Sequence, residues 1–337
     1  MRRHRAIVAM TGLVLFASAC GAISPRTSSP QQSAVSFSCR LPIGSQGGDF
    51  GGFVSFPQAT FERASKSSLT YDAAHQRWLP VRREMLSPDG QFYVYAQDTK
   101  VPAGAAIHVV GIASGQDQLV WTEQSAAFVL GWTDRGIALL RATARPSESS
   151  FVGPQMWMLS PSGQTMQLVA GQPAANSGFP LFKAWTELSP GGVWSKSITT
   201  SSTDILLRID PQDGHVTPWY GAREPVYLTV LGMDSAGHPL LEVTTPPSSK
   251  QRVILVPAPN TALAVEGSGP VPPQPTFGSS VSDEHGTWLA AADSGIWLYD
   301  PKAGFRRVAQ LPLPPKASPV SDMGMPGITP VVAGPCL

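Results

Sequence analysis

Residue types that often carry enzyme chemistry are present in this sequence, but no recognisable catalytic motif brings them together. There is no Gly-x-Ser-x-Gly elbow, no glycine-rich phosphate loop, no Cys-x-x-Cys and no His-Glu-x-x-His. Six histidines are scattered along the chain; His75, His215, His238 and His285 fall in or beside predicted turns. A position in surface turns explains these four histidines better than a catalytic role does. His108, in contrast, lies in a predicted strand. We therefore predict no catalytic and no metal-binding residues, and no cofactor.

One short phrase recurs: an apolar strand end, a tight turn, then an alternating apolar strand. Its clearest turn is Ser87-Pro88-Asp89-Gly90. Proline fixes φ, aspartate bonds the backbone of its own turn, and glycine supplies a positive φ. Two series of such turns have a period of roughly 40–50 residues with four short strands per period, as in propeller blades. The series are Gly90, Gly136, Gly192, Gly237 and Gly286, then Gly115, Gly163, Gly214, Asn260 and Gly304.

This pattern resembles the six-bladed propellers of the TolB type, whose blades carry a Trp-Ser-Pro-Asp-Gly-like turn followed by a strand. The turn at 87–90 matches well, whereas Ser189-Pro190-Gly191-Gly192 lacks the aspartate. The resemblance covers most of residues 50–311 as a repeat pattern. It implies an all-β fold, a β-propeller of six four-stranded blades, with five or seven blades as alternatives.

Counting strands predicts how the ring closes. Five full units lie between residues 82 and 311, and the stretch before them reads as three strands, at 52–56, 68–71 and 77–81. The missing innermost strand could come from the C-terminal tail, at 319–323 or 328–332. One blade would then be closed by strands from both ends of the chain.

Three cysteines remain to be placed. Export would put them in a compartment that permits disulfides. A ring whose ends meet brings Cys39 beside Cys336, so we predict a disulfide between them. Two free thiols, or a Cys20–Cys39 bond in an unlipidated protein, are the alternatives.

The N-terminal segment reads as an export signal. A basic start containing Arg2, Arg3 and Arg5 precedes an apolar run at 6–19, which is short for a membrane span and suitable for a signal peptide. Residues 17–21 resemble a bacterial lipobox, although Ala17 stands where leucine is usual, and this predicts lipidation of Cys20. An ordinary secretory signal cleaved near Ala19 or Ala22 is the alternative. We thus predict a signal peptide at 1–19, a flexible Ser/Pro/Gln tether at 20–38 and one propeller domain at 39–337.

Charge and composition exclude some partners. Removing residues 1–19 leaves 21 basic and 23 acidic side chains, a net charge of about −2, with no basic run for nucleic acid. Charged residues are 14% of the chain, and 32 Gly with 33 Pro favour short strands and tight turns over amphipathic helices. Most tryptophans fall in predicted strands, where packing between blades is expected and a stacking platform for a sugar or quinone is the alternative.

Together these features predict a non-enzymatic, monomeric lipoprotein outside the cytoplasmic membrane that binds a protein, a glycan or a small ligand. The alternative is a calcium-dependent lactonase or esterase, since some six-bladed propellers hold one metal at the channel mouth. Calcium requires several oxygens converging on one point. Asparagine is nearly absent, and the acids near first-strand ends are Glu84, Glu187, Asp234, Asp283 and Asp322.

Overall fold

A computed structural model describes residues 34–46, 50–99, 104–123, 127–144, 151–168, 186–189, 191–198, 203–221, 225–247, 250–265, 272, 280–291, 293–312 and 329–337. These residues are almost entirely β, with a single 3-10 turn at Arg83–Met85. None of the helical structure in these ranges is long and apolar enough to cross a membrane. The predicted signal peptide, with Cys20, and most of the tether lie outside the described residues.

Six antiparallel sheets form the blades, five with four strands and one with three. In sheet order, blade 1 consists of β25 (Thr329–Val332), β1 (Cys39–Gln46), β2 (Gly52–Phe56) and β3 (Thr60–Arg63). A hairpin of β4 (Thr70–Asp72) and β5 (Arg77–Leu79) follows it in the chain. Blade 2 consists of β6 (Phe92–Thr99), β7 (Gly104–Gly111) and β8 (Asp117–Glu123).

The other four blades follow one another in chain order, each a simple up-and-down sheet. Blade 3 consists of β9 (Ala127–Thr133), β10 (Gly136–Ala144), β11 (Phe151–Leu159) and β12 (Met166–Leu168). Blade 4 consists of β13 (Thr186–Ser189), β14 (Gly192–Ile198), β15 (Asp204–Ile209) and β16 (Val216–Gly221). Blade 5 consists of β17 (Tyr227–Met233), β18 (Pro239–Thr245), β19 (Lys250–Ala258) and β20 (Thr261–Ala264). Blade 6 consists of β21 (Val281–Asp283), β22 (Gly286–Ala290), β23 (Gly295–Asp300) and β24 (Gly304–Gln310).

The repeated turns occur where the two series predict them. All ten positions have a positive φ, between 55° and 137°. L-residues with a Cβ rarely adopt this region, whereas glycine enters it freely and asparagine tolerates it. Gly163 has a second reason to be glycine, because a Cβ there would collide with the carbonyl oxygen of Val120. The two turn series therefore mark the blades correctly.

Blade 1 is closed by both ends of the chain, as strand counting predicts. β25 pairs with β1 so that Ile43 faces Val332. The backbones of Arg40 and Leu337 exchange two N–H···O bonds of 3.0 Å. The Cys39–Cys336 disulfide lies beside them and joins residues 297 positions apart. The C-terminal strand is the predicted 328–332 segment, while 319–323 lies outside the described residues.

Strand assignment at the N-terminus is partly wrong. The predicted strands at 68–71 and 77–81 form the separate hairpin β4–β5, and blade 1 uses β1 and β3 instead. β1 contains Pro42 and Gly44, which weaken a strand signal, and β3 is mostly exposed and polar. The first strand of blade 2 is also missing: the 3-10 turn replaces it, and a single bridge joins Leu86 to Tyr93.

Tryptophans fill the space between blades. Trp194, Trp288 and Trp297 are at most 1% exposed, which confirms the packing role predicted for them. Trp288 of blade 6 lies 5.4 Å from the ring of Phe56 in blade 1. Such large apolar side chains contribute much of the burial that holds one blade against the next.

Candidate binding site

A cavity of about 650 Å³ lies where the first strands of the blades end. This volume falls within the range of small-molecule pockets. Every blade contributes to its wall: the first strands of five blades reach it, and in blade 2 the segment with the 3-10 turn and Leu86 takes that place. The wall includes Val331, Leu86, Trp132, Ser189, Met233 and Val281, one from each of blades 1 to 6.

One part of the wall is apolar. Trp132 lies on it, with its ring stacked 6.4 Å from that of Phe92. Phe92 is 42% exposed, which is unusual for a large aromatic side chain in a strand. Leu69 and Leu188 add further aliphatic surface. The cavity can therefore bury the apolar part of a ligand.

Three arginines line the same cavity, and two of them have partners. The Nε of Arg208 donates to the carbonyl oxygen of Gly191 at 2.6 Å, and its guanidinium lies 3.7 Å from Asp210. Arg82 lies 3.7 Å from the Glu84 carboxylate. Both charges are thus partly neutralised by the wall itself.

Arg83 differs from these two. It is exposed to the cavity and forms no side-chain hydrogen bond or ion pair with any residue that the structure describes. The protein around it desolvates the guanidinium and lowers the pKa of Arg83, while the charge of Asp283 partly offsets this effect. Arg83 is therefore an exposed cation on the cavity wall whose donors have no partner among the described residues.

Acidic residues near the cavity are engaged in local structure. Burial raises the pKa of Glu84, partly offset by a backbone hydrogen bond and by Arg82. Asp234 accepts from the backbone N–H groups of Ala236 and His238 at 2.9 and 2.8 Å. These carboxylates fold their own turns and have limited capacity left for a ligand.

Asp283 accepts three hydrogen bonds that join separate parts of the fold. Its Oδ1 accepts from the backbone N–H of His285 at 2.8 Å. Its Oδ2 accepts from the indole N–H of Trp288 at 2.7 Å and the backbone N–H of Cys336 at 2.9 Å. This carboxylate thus ties blade 6 to the C-terminal segment.

The acids considered as calcium ligands do not form one site within the described residues. Glu84 pairs with Arg82, and Asp234 and Asp283 are used as above. Glu187 lies on β13, and Asp322 falls outside the described residues. No three His, Cys, Asp or Glu side chains in the described ranges are grouped to hold a metal. This part of the chain offers no ligand set for the calcium alternative.

The histidines of the predicted turns serve as local supports. Nδ1 of His75 lies 2.6 Å from Asp72, and that of His238 lies 3.1 Å from Asp234. His285 stacks on Phe37 at 4.0 Å between ring centroids. The backbone N–H of His215 donates to Asp213. These histidines are dispersed over several turns of the described chain.

His108 belongs to a cluster that sequence reasoning missed. Asp117 accepts from the hydroxyl of Tyr95 at 2.7 Å and lies 2.9 Å from Nδ1 of His108. The Tyr95 bond and then the His108 bond lower the pKa of Asp117, and the same contact raises the pKa of Tyr95 to about 12. The three come from adjacent strands of blade 2, and a tyrosine with this pKa is a poor nucleophile at neutral pH.

All six blades, or the segment that precedes the first strand of blade 2, line one cavity. The fold is a β-propeller. No family model matches the chain, and no curated protein matches its sequence. Among solved structures it is similar to TolB from Acinetobacter baumannii, with 11% identity over 88% of this chain and 67% of that chain, at a TM-score of 0.45.

Two further solved structures give likenesses of the same order. One is the β-propeller domain of the Trilobed protease from Pyrococcus furiosus, with 10% identity over 82% of this chain and 86% of that chain, at a TM-score of 0.45. The other is an acylaminoacyl peptidase in complex with Z-Gly-Gly-Phe-chloromethyl ketone, with 11% identity over 67% of this chain and a TM-score of 0.44. This chain spans only 38% of that peptidase. These similarities concern the fold alone, and no activity of those proteins is assigned to this chain.

Proposed function

We propose that this chain is a non-enzymatic, lipid-anchored propeller outside the cytoplasmic membrane that binds a ligand in its central cavity. The observation that carries the proposal is the cavity of about 650 Å³, whose wall combines apolar side chains with the guanidinium of Arg83, which has no partner in the part of the chain that the structure describes. Three acids of its wall already have partners, Glu84 with Arg82 and Asp210 and Asp234 with the backbone of their own turns, which supports binding better than hydrolysis. The Cys39–Cys336 disulfide indicates an extracytoplasmic location, because such bonds persist in oxidising compartments.

Lipid attachment at Cys20 would hold the propeller at the membrane surface through the tether. We expect Cys20→Ser to move the protein from the membrane fraction to the soluble fraction, since a seryl side chain cannot receive the lipid. Fractionation followed by immunoblotting measures this, and Ser29→Ala in the tether serves as a control that stays membrane-bound. A Cys20→Ser protein that remained in the membrane fraction would show that the anchor is elsewhere.

Occlusion of the cavity tests the binding proposal. Ser235 is an exposed turn residue on the cavity wall, so Ser235→Trp places an indole in the space a ligand would use. We expect thermal-shift hits from a panel of neutral sugars, short peptides and carboxylic acids to be lost in this variant. Ser162→Trp is the matched control, because Ser162 is also an exposed turn residue but follows the third strand of its blade. The control should keep every hit.

Three results would contradict the proposal: no hit with the wild-type protein, hits that persist in Ser235→Trp, or hits lost equally in both variants. The panel also includes calcium chloride, added after chelation. A calcium-dependent rise in melting temperature together with esterase activity would favour the metal-dependent hydrolase instead.

A further inference from the structure

We infer that Arg83 binds a monocarboxylate group of the cavity's ligand while the apolar part of that ligand packs on the aliphatic and aromatic wall. This inference rests on the proposed function and specifies the chemistry of the ligand. It uses Arg83 as the anion anchor and Trp132, Leu86 and Leu188 as the apolar surface. All four residues line the same cavity.

The first support is the free state of Arg83. Asp283 attracts it electrostatically, but both oxygens of that carboxylate already accept hydrogen bonds. Arg83 itself has no side-chain hydrogen-bond or ion-pair partner among the described residues. Other arginines do have carboxylate partners, namely Arg40 with Glu62 at 3.3 Å, Arg82 with Glu84 at 3.7 Å and Arg307 with Asp293 at 3.6 Å.

The second support is the accessibility and shape of this cation. Arg83 is exposed on the cavity wall, so a ligand that enters the cavity can reach its guanidinium. A planar guanidinium presents two parallel N–H donors that match the two oxygens of a carboxylate. A carboxylate that enters the cavity would therefore supply the missing partner.

The rest of the wall selects among anions. Asp134 and Asp234 also line the cavity in addition to the Arg82–Glu84 and Arg208–Asp210 pairs, and their negative charge repels a dianion more strongly than a monoanion. Inorganic phosphate is doubly charged in part at neutral pH and has no apolar portion to bury. A carboxylic acid with an aliphatic or aromatic body satisfies both the cation and the apolar wall, so it is favoured over phosphate.

Two matched probes test this assignment. 3-Phenylpropionate carries the carboxylate and an aromatic body, while 3-phenylpropionamide has nearly the same shape without charge. By calorimetric or NMR titration we expect the acid to bind the wild-type protein about tenfold more tightly than the amide, as befits a charged hydrogen bond. Arg83→Gln should abolish this preference while leaving affinity for the amide unchanged. Arg83→Lys should retain part of it, and Arg40→Gln, at an exposed arginine of blade 1, should retain all of it.

Several outcomes would overturn the inference: equal binding of acid and amide by the wild-type protein, a preference that survives Arg83→Gln, binding of neither probe, or tighter binding of inorganic phosphate than of the acid. The Ser235→Trp variant distinguishes a failure of the Arg83 inference from a failure of the proposed binding function. It should block binding of the acid and of the amide alike, because it fills the cavity. Amide binding that Ser235→Trp abolishes, with no advantage for the acid, would leave the binding cavity standing and remove the role of Arg83. Acetyl-Leu-Phe and its C-terminal amide, used in the same way, distinguish a peptide C-terminus from a small carboxylic acid.

Discussion

Replacement of both Cys39 and Cys336 by serine is expected to lower the free energy of unfolding by about 4–5 kcal/mol. The disulfide joins residues 297 positions apart, so its loss greatly increases the conformational freedom of the unfolded chain. For a protein of this size the change corresponds to a fall in melting temperature of about 10 °C. Urea unfolding followed by tryptophan fluorescence measures it, because Trp288 packs in the same core cluster as the two cysteines.

Single variants and reduction provide the controls. Cys39→Ser and Cys336→Ser should each be as unstable as the double variant, and reduced wild-type protein should match them. The pairing of β25 with β1 remains possible without the disulfide, so the variants should still fold in the absence of denaturant. A double variant with an unchanged urea midpoint would show that the disulfide adds nothing to closure.

The second large effect is expected at Asp283. Asp283→Asn should lower the free energy of unfolding by about 3 kcal/mol, because the NH2 group that replaces one carboxylate oxygen cannot accept: with the amide in one orientation the N–H groups of Trp288 and Cys336 lose their acceptor, and in the other that of His285 does. The indole of Trp288 is buried, so its N–H would lose its partner without gaining water. The same urea titration measures this loss.

Asp89→Asn is the matched control because Asp89 is the first-turn aspartate of blade 2. Its contacts, to the hydroxyl of Ser87 and the backbone N–H of Gln91, stay within one exposed turn. We expect a clearly smaller effect there. In the Cys39→Ser/Cys336→Ser background the loss caused by Asp283→Asn should shrink, since both changes release the C-terminal segment. Equal losses at Asp89 and Asp283, or full additivity, would contradict a linking role for Asp283.

Turn chemistry is the part of this fold that the sequence predicts best. A positive φ is needed at one position per turn, and the residues that meet this need cheaply are few, so the positions of Gly and Asn reveal the blade period. Ser189 shows that different residue types can make the same hydrogen bond, which residue types alone do not predict. It accepts from the indole N–H of Trp194 at 2.9 Å, as Asp283 does from Trp288, although the two turns share few residues.

Strands without alternating apolar residues were beyond prediction. β1 is buried at nearly every position because β25 and β2 flank it, and this burial depends on contacts with distant residues. The hairpin β4–β5 has a clear strand signal but forms a two-stranded sheet outside the blades, which no local pattern indicates. Strand propensity predicts that a segment is extended, but contacts made in the closed ring determine which sheet that segment joins.

The binding cavity was equally hidden from the sequence. Its wall takes short contributions from every blade, so residues as distant as Arg83, Trp132 and Val331 meet only after the ring has closed. Arg83 lies just before the most motif-like turn, but nothing around it signals that its side chain would lack a partner. Of the acids near first-strand ends, Asp234 and Asp283 accept hydrogen bonds from the backbone of their own turns.

The position of β25 in blade 1 has a consequence for biogenesis. β25 is the last strand in chain order, yet it pairs with β1, the first strand. Blade 1 therefore stays incomplete until β25 has been made. In a chain that emerges N-terminus first, the edge of β1 that β25 will cover is an open template for other strands until residues 329–332 arrive. Cys39 is likewise synthesised long before Cys336, which lies 297 positions later. The disulfide that locks the ring can therefore form only after almost the whole chain has been made, and Cys39 must still be available for pairing at that point.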